Sequence, residues 1–380
     1  MQTMKIKFVS TVRGFLSHLL EIESDIIKFD LKKDTYEVSS TLHALISKCI
    51  RASVGDHLGI IQSIKSDEKN RELILGSFNR FLNTKQNYFI YVENPTALYH
   101  YSLNRPYTYL GNRRFSYLLS DHHLKYMIFM SKAALYSSDN VWGREVPISK
   151  EVIYPLIPKN PFAEPKQKDP IMKLKLLYVA QGSRFISKGG PEVIEMAIEL
   201  GSKISLTIIT NLDAVPEKLA NKIYRQNNIQ LQEFNKSFLE MEKIYAFHDI
   251  LIYPTSDDSY ALTVLEAIKA GMVVIGSNMY AIPEMVADGK NGFLTNPKWQ
   301  FFDKNNIPNP QVWNHRKSTI FSMEPDKNIV NFLVSKVCLL NSNRKLLYNM
   351  SLESILKANS EPFDEVTITG QWEKLAKNIN

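Results

Sequence analysis

The sequence predicts an α/β protein with two domains. The chain has 380 residues, which is too long for one ordinary core and suits two domains. In the second half, apolar strand-like runs alternate with helical segments through short loops, a pattern typical of a parallel sheet covered on both faces. Residues 159–170 are rich in proline and charge, and this shift in composition marks the expected boundary between the domains.

The first domain, expected over residues 1–160, mixes apolar strands with amphipathic helices. Three apolar runs have the length of buried strands, namely residues 5–12, 87–94 and 125–131. Residues Thr41 to Val54 have the periodicity of a helix. Residues 151–158 are expected to end this domain.

The second domain is expected over residues 171–362, after a linker at 161–170. Its buried strands are predicted at residues 174–180, 205–210, 228–234, 250–254 and 272–277. Its helices are predicted at residues 191–201, 215–227, 237–249, 262–271 and 329–357. Residues 298–328 are polar and irregular, and Trp372 to Ile379 are expected to form a last short helix.

Cysteine usage and hydropathy favour a soluble, cytoplasmic protein. The two cysteines, Cys49 and Cys338, lie far apart and form no CxxC pair, so neither a disulfide framework nor a zinc site is expected. Arg13 and His18 interrupt the apolar start of the chain, which favours a buried strand over a secretion signal. No apolar run has the length needed to span a bilayer.

The formal net charge is +7, and most of the excess lies in residues 1–160. The basic residues of this half include Arg105, Arg113, Arg114, Lys125 and Lys132. The simplest interpretation is a solvated surface. The alternative is attraction to an anionic partner, either a membrane surface at the inner face of the cell membrane or a pyrophosphate-linked lipid. The sequence contains no nucleic-acid-binding motif that would favour a nucleic acid as the partner.

Ligands of parallel α/β sheets bind beyond the carboxyl ends of the strands, so the loop after Ala180 is a candidate site. It contains Gly182, which permits a tight turn, and the cations Arg184 and Lys188 just before a predicted helix. Two cations beside a helix N-terminus can bind a diphosphate. The loop is not a Walker motif. Taken alone, the loop favours the simpler interpretation, that Arg184 and Lys188 are two ordinary surface cations.

The loop after Pro254 carries two carboxylates, Asp258 and Glu266, around the start of a predicted helix. The amides near Leu262 and Thr263 would lie free at this start and could receive phosphate. Glu266, about one turn further along, could accept hydrogen bonds from the hydroxyls of a ribose. Asp258 could accept hydrogen bonds from the hydroxyls of the donor sugar. The alternative is that Asp258 caps the helix and that Thr263 and Glu266 form a capping box. The apolar residues around Glu266 favour a binding role, because an acid in such a stretch needs a partner.

The segment from Tyr253 to Leu294 resembles the donor-site signature of the family 4 glycosyltransferases. The motifs that carry the resemblance are YPTS, DSYALTVLEA, KAG, VVIGS and IPEMVADGKNGFL. LLYVAQGSRFISKGG is similar to the phosphate loop of that family, IFMSKAA and VIYPLIP to its strands before the linker, and QWEKLAKNI to its last helix. The likeness is strong over residues 174–294 and slight over residues 1–120.

The resemblance implies the GT-B fold, in which two Rossmann-like domains have parallel sheets facing across a cleft. Residues 1–160 would bind the acceptor and residues 171–362 the nucleotide sugar. Residues 363–380 would form a C-terminal helix that crosses back to the N-terminal domain.

The resemblance also implies roles for individual residues. Arg184 and Lys188 would hold the donor diphosphate, in the loop that turns at Gly182. Glu266 would bind the nucleotide ribose, and Asp258 would contact the transferred sugar.

The start of the helix at Tyr260, Ala261, Leu262 and Thr263 would assist in binding phosphate. Two departures from the family pattern occur here. The family has a glutamate where this chain has Asp258, and it has Phe-Gly-Leu where this chain has Tyr260-Ala261-Leu262. The shorter acid can still accept sugar hydroxyls.

The acceptor side is less defined, because Arg13-Gly14 stands where the family has a Gly-rich loop. Glu93, Tyr99 and His100 follow a predicted strand and are further acceptor candidates, although a structural role is the commoner outcome for a histidine.

The implied function is the transfer of a hexose from a UDP- or GDP-linked sugar to a saccharide or lipid-linked acceptor in surface polysaccharide biosynthesis. The resemblance implies retention of configuration, with neither a metal nor a cofactor besides the nucleotide sugar. The alternatives are a non-catalytic GT-B subunit and a sugar-nucleotide epimerase or phosphorylase of the same fold. The replacement at Asp258 is the feature that favours the non-catalytic subunit.

Overall fold

The computed structural model of the chain describes residues 3–33, 53–142, 146–166, 169 and 171–379. The chain divides into two compact units. The first comprises Met1–Pro158, Asn305–Pro308 and Pro362–Asn380, and the second comprises Lys159–Lys304 and Asn309–Glu361. Most of the helix predicted at Thr41 to Val54 lies outside the described residues, as does Cys49.

The first unit contains a six-stranded parallel sheet with the order β2-β1-β4-β6-β7-β8. Its strands are β1 (Met4–Val12), β2 (Ile27–Lys33), β4 (Leu73–Phe78), β6 (Tyr88–Val92), β7 (Leu124–Phe129) and β8 (Ser149–Val152). The short strands β3 (Ser63–Lys65) and β5 (Phe81–Asn83) form a separate parallel pair. The α-helices described in this unit are Ser53–His57, Tyr109–Leu119, Lys132–Trp142 and Glu365–Ile379.

The last helix packs on the first sheet through Trp372, which is almost completely buried. The indole lies 5.4–6.5 Å from four aromatic rings, measured between centroids, and these belong to Phe8, Phe29, Phe89 and Tyr91. Edge-to-face and tilted arrangements at this distance are favourable for aromatic pairs. Trp372 therefore holds the C-terminal helix to the strands of the first unit.

The second unit contains another six-stranded parallel sheet, with the order β11-β10-β9-β12-β13-β14. Its strands are β9 (Leu174–Ala180), β10 (Ile204–Thr210), β11 (Ile229–Glu233), β12 (Ile250–Tyr253), β13 (Val273–Ser277) and β14 (Gly292–Thr295). Its α-helices are Gly190–Leu200, Glu217–Tyr224, Phe238–Phe247, Leu262–Lys269, Ile282–Met285, Pro310–Asn314, Lys327–Ser342 and Arg344–Ala358. Two parallel α/β domains confirm the fold class expected from the sequence.

The second sheet is buried on both faces, as its nearly continuous apolar strands predict. Leu176, Ile208, Ile252 and Ile275, from four neighbouring strands, have no solvent exposure and belong to one core cluster. Helices on both faces exclude water from this sheet, so the polar groups of the unit are concentrated in the loops at the strand ends.

Helix boundaries near the C-terminus differ from those expected. The helical stretch predicted at 329–357 is two helices, because the side chain of Asn343 accepts a hydrogen bond from the amide of Leu346 and starts a new helix. The last helix begins at Glu365 rather than Trp372, since Asp364 accepts a hydrogen bond from the amide of Thr367. Within the described residues, no helix combines the length and apolar character required to cross a membrane.

Candidate functional site

The strand order of the second sheet reverses between β9 and β12. The sheet continues to β10 and β11 on one side of this point, and to β13 and β14 on the other. The pairing of β9 with β12 ends at Leu177 and Leu251, before either strand ends. Loops that leave neighbouring strands at such a point open a crevice, which is the usual ligand site of doubly wound sheets. The two loops singled out in the sequence follow these two strands.

The loop after β9 is held close to the loop after β12. Gly189 has a φ of +87°, and a Cβ atom there would lie 2.5 Å from the carbonyl oxygen of Pro254. Only glycine permits this approach. The amide of Ser256 donates a 2.9 Å hydrogen bond to the carbonyl of Ser187, which joins the loops again. Gly182 turns with a φ of +61°, and its amide donates to the side chain of Asn211 at 2.6 Å.

Lys188, which is buried, and Asp258, which is largely shielded from solvent, form an ion pair between the two loops. The ammonium of Lys188 also donates to the hydroxyl of Tyr253 at 3.0 Å, and that hydroxyl donates to Asp258. Burial alone would raise the pKa of the Asp258 carboxyl, but Lys188, the Tyr253 hydroxyl and the charge of Arg184 together hold it below its usual value. Asp258 is therefore an ionised carboxylate, and its negative charge neutralises the positive charge of Lys188.

Asp258 does not cap the helix Leu262–Lys269, but its side chain fixes the turn that leads into it. Its Oδ1 accepts hydrogen bonds from the amides of Ala261, at 2.9 Å, and Tyr260, at 3.3 Å. Ala261 adopts the left-handed conformation, with φ 67° and ψ 58°, although it is not glycine. The family signature has glycine at this position, so the structure gives a physical reason for that preference. The amides of Leu262 and Thr263 follow at the first turn, where helical amides have no intrahelical acceptor.

Glu266 projects from the second turn of the same helix and is half-buried. Its Oε2 accepts a 2.7 Å hydrogen bond from the hydroxyl of Tyr245. Burial raises the pKa of Glu266, and the hydrogen bond from Tyr245 opposes that rise. The capping-box alternative is wrong, because Thr263 lies inside the helix and the helix start has no side-chain cap at Ala261. The apolar surroundings indicated that Glu266 needed a partner, and the partner is Tyr245.

Arg184 is exposed on the loop after β9, and its charge contributes to lowering the pKa of Asp258. Burial raises the pKa of the Tyr253 hydroxyl, and the Tyr245 hydroxyl contributes to that rise. Electrostatic and hydrogen-bonding contacts thus connect the sequence-predicted residues Arg184, Lys188, Asp258 and Glu266. The two tyrosines were not predictable as site residues, because nothing in the local sequence around Tyr245 and Tyr253 distinguishes them from core residues.

In the first unit, Arg13 and Glu93 form an ion pair of 3.2 Å at the carboxyl ends of β1 and β6. Glu93 is buried, whereas nearly half of the Arg13 side chain is exposed. The amide nitrogen of the Asn79 side chain and the hydroxyl of Tyr101 both lie 3.3 Å from the Glu93 carboxylate and donate to it. These residues surround the point where the first sheet reverses its strand order, between β1 and β4.

The remaining acceptor candidates are placed differently. Tyr99 is buried and stacks on Phe115, with 4.6 Å between the ring centroids. His100 is also buried, and its Nε2 accepts a 2.9 Å hydrogen bond from the amide of Gln62. Gly14 begins a 3₁₀ helix, with open space around its α-carbon. The structure therefore brings Arg13 and Glu93 together and sets Tyr99 and His100 in the interior of the unit.

A separate group of potential metal ligands lies on the turn before β7. Asp121, His122 and His123 each offer one ligand atom, and these atoms lie within 4.8 Å of one another. Asp121 already accepts hydrogen bonds from the Tyr88 hydroxyl at 3.3 Å and from the amide of His123 at 3.0 Å. The group belongs to the first unit and contains none of the residues that the sequence assigns to the donor.

Comparison with known proteins relates the second unit to a known family of sequences. Residues 162–304 match the sequence model of the family described as glycosyl transferases group 1. These residues form a glycosyl transferases group 1 domain. The match includes both loops of the crevice and the helix that carries Glu266.

Two curated relatives match shorter stretches of the chain. An uncharacterized 41.2 kDa protein in the cps region of Klebsiella pneumoniae is 28% identical over 137 residues, which are 36% of this chain and 35% of that protein. The sulfoquinovosyl transferase SQD2 of Arabidopsis thaliana is 34% identical over 61 residues, which are 15% of this chain and 12% of that protein. The matched stretches thus span about a third and about an eighth of these relatives.

The fold of the whole chain is similar to that of Anabaena HepE in complex with UDP. The similarity has a TM-score of 0.63 at 14% identity and covers 99% of this chain and all of HepE. HepE has also been solved with UDP-glucose. The group 1 domain is therefore part of a GT-B chain with two Rossmann-like domains, as the resemblance implied.

Proposed function

We propose that this chain transfers a hexose from a nucleotide diphosphate sugar, UDP- or GDP-linked, to a saccharide or lipid-linked acceptor. The observation that carries the proposal is the crevice between β9 and β12, where Arg184, the Lys188–Asp258 pair and the first turn of the helix Leu262–Lys269 meet. This arrangement combines cations, free amides and hydroxyl acceptors, which are the groups that a nucleotide sugar requires.

In this proposal the donor diphosphate lies between Arg184 and the amides of Leu262 and Thr263. The helix start favours negative charge, because its amides point toward the ligand. Glu266 accepts hydrogen bonds from the ribose hydroxyls, and the hydrogen bond from Tyr245 orients it. The UDP and UDP-glucose complexes of HepE support a UDP-linked donor.

The roles of Lys188 and Asp258 are linked, because each neutralises the other. The ammonium of Lys188 donates one hydrogen bond to Asp258 and another to the Tyr253 hydroxyl, so its third N–H remains to contact the diphosphate. Asp258, held as a carboxylate, accepts hydrogen bonds from hydroxyls of the transferred sugar. A donor that enters the crevice would share these hydrogen bonds and align its anomeric carbon with the helix start.

We propose that the reaction retains the anomeric configuration and proceeds without a metal. The leaving nucleoside diphosphate gains negative charge as the sugar departs, and the cations and helix amides stabilise that charge. Because these cations and amides are already fixed in position, they need no reorganisation during the reaction. No side chain on the donor side is assigned as a nucleophile in this scheme, and the leaving phosphate takes the acceptor proton.

The acceptor is proposed to bind at the Arg13–Glu93 pair of the first unit. The half-exposed guanidinium can bind a phosphate or a hydroxyl, and the carboxylate orients it. The basic excess of residues 1–160 supports a lipid-linked or anionic acceptor at the inner face of the cell membrane. The Klebsiella relative in the cps region supports a role in surface polysaccharide biosynthesis, such as capsule or O-antigen.

The proposal is tested with a panel of UDP- and GDP-linked hexoses. At least one donor should raise the thermal unfolding midpoint and release nucleoside diphosphate slowly without an acceptor. The variant Glu266→Gln should lose both effects while keeping its fold. Glu199→Gln, an exposed acid on the helix Gly190–Leu200, is the matched control and should behave like the wild type.

The outcomes separate the proposal from its alternatives. Binding without turnover, with every acceptor tested, would favour a non-catalytic subunit. Epimerisation of the donor in the absence of an acceptor, or a requirement for free phosphate, would indicate an epimerase or a phosphorylase.

Peripheral membrane association is tested with anionic vesicles. Binding should weaken as salt is added, because screening shortens the range of attraction to the basic surface. Binding that does not depend on salt, or an absence of vesicle binding, would contradict peripheral membrane association.

A further inference from the structure

Residues 298–328, which follow the signature segment Tyr253 to Leu294, contain a cation held by two aromatic rings. The guanidinium carbon of Arg316 lies 4.6 Å from the centroid of the Trp313 ring and 4.9 Å from that of Phe301. The two rings stack on each other, with 4.2 Å between their centroids. Such contacts fix a guanidinium in position while leaving its N–H groups available.

Backbone hydrogen bonds attach this aromatic pair to the crevice. The amide of Phe301 donates to the carbonyl of Ser256 at 3.0 Å, and Phe301 in turn accepts from the amide of Asn309 at 2.9 Å. Ser256 is itself bonded to Ser187 in the loop after β9. The segment that carries Arg316 is therefore fastened to the loop that carries Asp258 and, through it, to the loop that carries Lys188.

Arg316 is held by aromatic rings rather than by an ion pair. Among the residues described by the structure, its side chain makes neither an ion pair nor a hydrogen bond, and the same is true of Arg184. Partial burial lowers the pKa of Arg316, Asp257 raises it and Arg184 lowers it, so both of these charges lie within electrostatic range. Two guanidiniums that repel each other, neither of them in an ion pair, favour the binding of an anion beside Asp257.

We propose that Arg316 is a diphosphate-binding residue, which the segment 298–328 adds to the donor site beside Arg184. This inference rests on the proposed function and deepens it. Because Lys188 is paired with Asp258, the cations of the crevice that make no ion pair among the described residues are the two arginines. The chemical class of the ligand is a nucleoside diphosphate, and Arg316 contacts its phosphate oxygens rather than its base or ribose.

The test compares the binding of UDP, GDP and the corresponding nucleosides to the wild type and to Arg316→Met. Methionine keeps the packing of the stem on the aromatic rings and removes the charge. The affinity for the nucleoside diphosphate should fall about tenfold or more, since a lost charge-assisted hydrogen bond has this effect. Nucleoside affinity should not change. Arg316→Lys should recover part of the loss, and the difference should shrink in high salt.

Lys317→Ala, the exposed cation next in sequence, is the control and should bind the diphosphate like the wild type. Thermal unfolding without ligand establishes that each variant is folded. Unchanged diphosphate affinity in Arg316→Met overturns the inference, as does an equal loss for diphosphate and nucleoside. If the wild type binds no nucleoside diphosphate at all, the result contradicts the proposed function itself, and the role of Arg316 is contradicted as a consequence.

Discussion

Tyr245 donates a 2.7 Å hydrogen bond to Glu266 and so fixes the acid that we assign to the ribose. The two residues are 21 positions apart and lie on consecutive helices, Phe238–Phe247 and Leu262–Lys269. The bond has two effects. It orients the carboxylate, and it opposes the rise in pKa that burial imposes on Glu266.

The variant Tyr245→Phe should shift the pH dependence of donor binding. The pKa of Glu266 rises further when the hydrogen bond is lost, so the carboxylate becomes protonated at a higher pH. The affinity for a nucleoside diphosphate should therefore decline at a higher pH in the variant than in the wild type as the solution is acidified. Calorimetric titrations across the acid range measure this shift. Tyr224→Phe, which alters an exposed tyrosine, should leave the profile in place.

Lys188 and Asp258 should behave as a coupled pair in unfolding experiments. Either Lys188→Met or Asp258→Asn alone leaves a buried partner without its counterpart, which costs about 3–5 kcal/mol. The double variant should lose less than the sum of the two, because no unpaired charge remains. Additive losses in denaturant unfolding would show that the pair is not coupled.

The lowered pKa of Asp258 determines how the stability provided by this ion pair depends on pH. Its folded-state pKa is held below the usual value, so its contribution to stability is present above the unfolded-state pKa. That contribution is lost as the pH falls through the lowered folded-state value. The stability difference between the wild type and Asp258→Asn should shrink only in that acid range.

Ala261→Gly should be tolerated or stabilising, since glycine adopts the left-handed conformation without the cost that alanine bears there. Removing the backbone strain of alanine should stabilise the protein by about 1–2 kcal/mol. The greater conformational entropy of glycine in the unfolded chain offsets about 0.4–1 kcal/mol of this gain. Ala220→Gly, in the helix Glu217–Tyr224, is the matched control and should lose about 1 kcal/mol. If both variants lost stability equally in denaturant unfolding, the backbone at Ala261 would not be strained.

Trp372→Ala should destabilise the first unit by about 3–5 kcal/mol, the usual cost of removing a buried large aromatic residue. The loss arises because the indole contacts four aromatic rings from the sheet. Trp372→Phe should retain a large part of the stability. Denaturant unfolding of both variants measures this, and a loss below about 1 kcal/mol for alanine would place the C-terminal helix outside the core.

The second unit was largely predictable from the sequence because its parallel strands are buried on both faces and form continuous apolar runs. β9 was predicted at its observed boundaries, and β10, β12 and β13 within one residue of them. β2 was missed because charged residues interrupt the sequence IKFDLKK, and β4 because LILGSF contains a glycine. Both belong to the first sheet, where the sequence pattern is weaker.

The partners within the site were less predictable than its position. The loops after β9 and β12 were expected to hold the ligand, since the carboxyl ends of parallel strands are adjacent. The sequence does not show that Lys188 pairs with Asp258, because the contact depends on the close approach of Gly189 to Pro254. It also does not indicate Arg316, whose position depends on how an irregular segment folds onto Ser256.

The most direct test of the account measures whether Glu266 recognises the ribose. Nucleoside diphosphate affinities are compared with those of the 2′,3′-dideoxy analogue, in the wild type and in Glu266→Gln. Since a hydrogen bond to a charged group contributes substantially to binding, the wild type should prefer the ribose form by about tenfold or more. Glu266→Gln should lose most of this preference, because its amide oxygen can still accept a hydrogen bond but carries no charge. A wild type that does not distinguish the two, or a Glu266→Gln variant that keeps the full preference, would contradict the account.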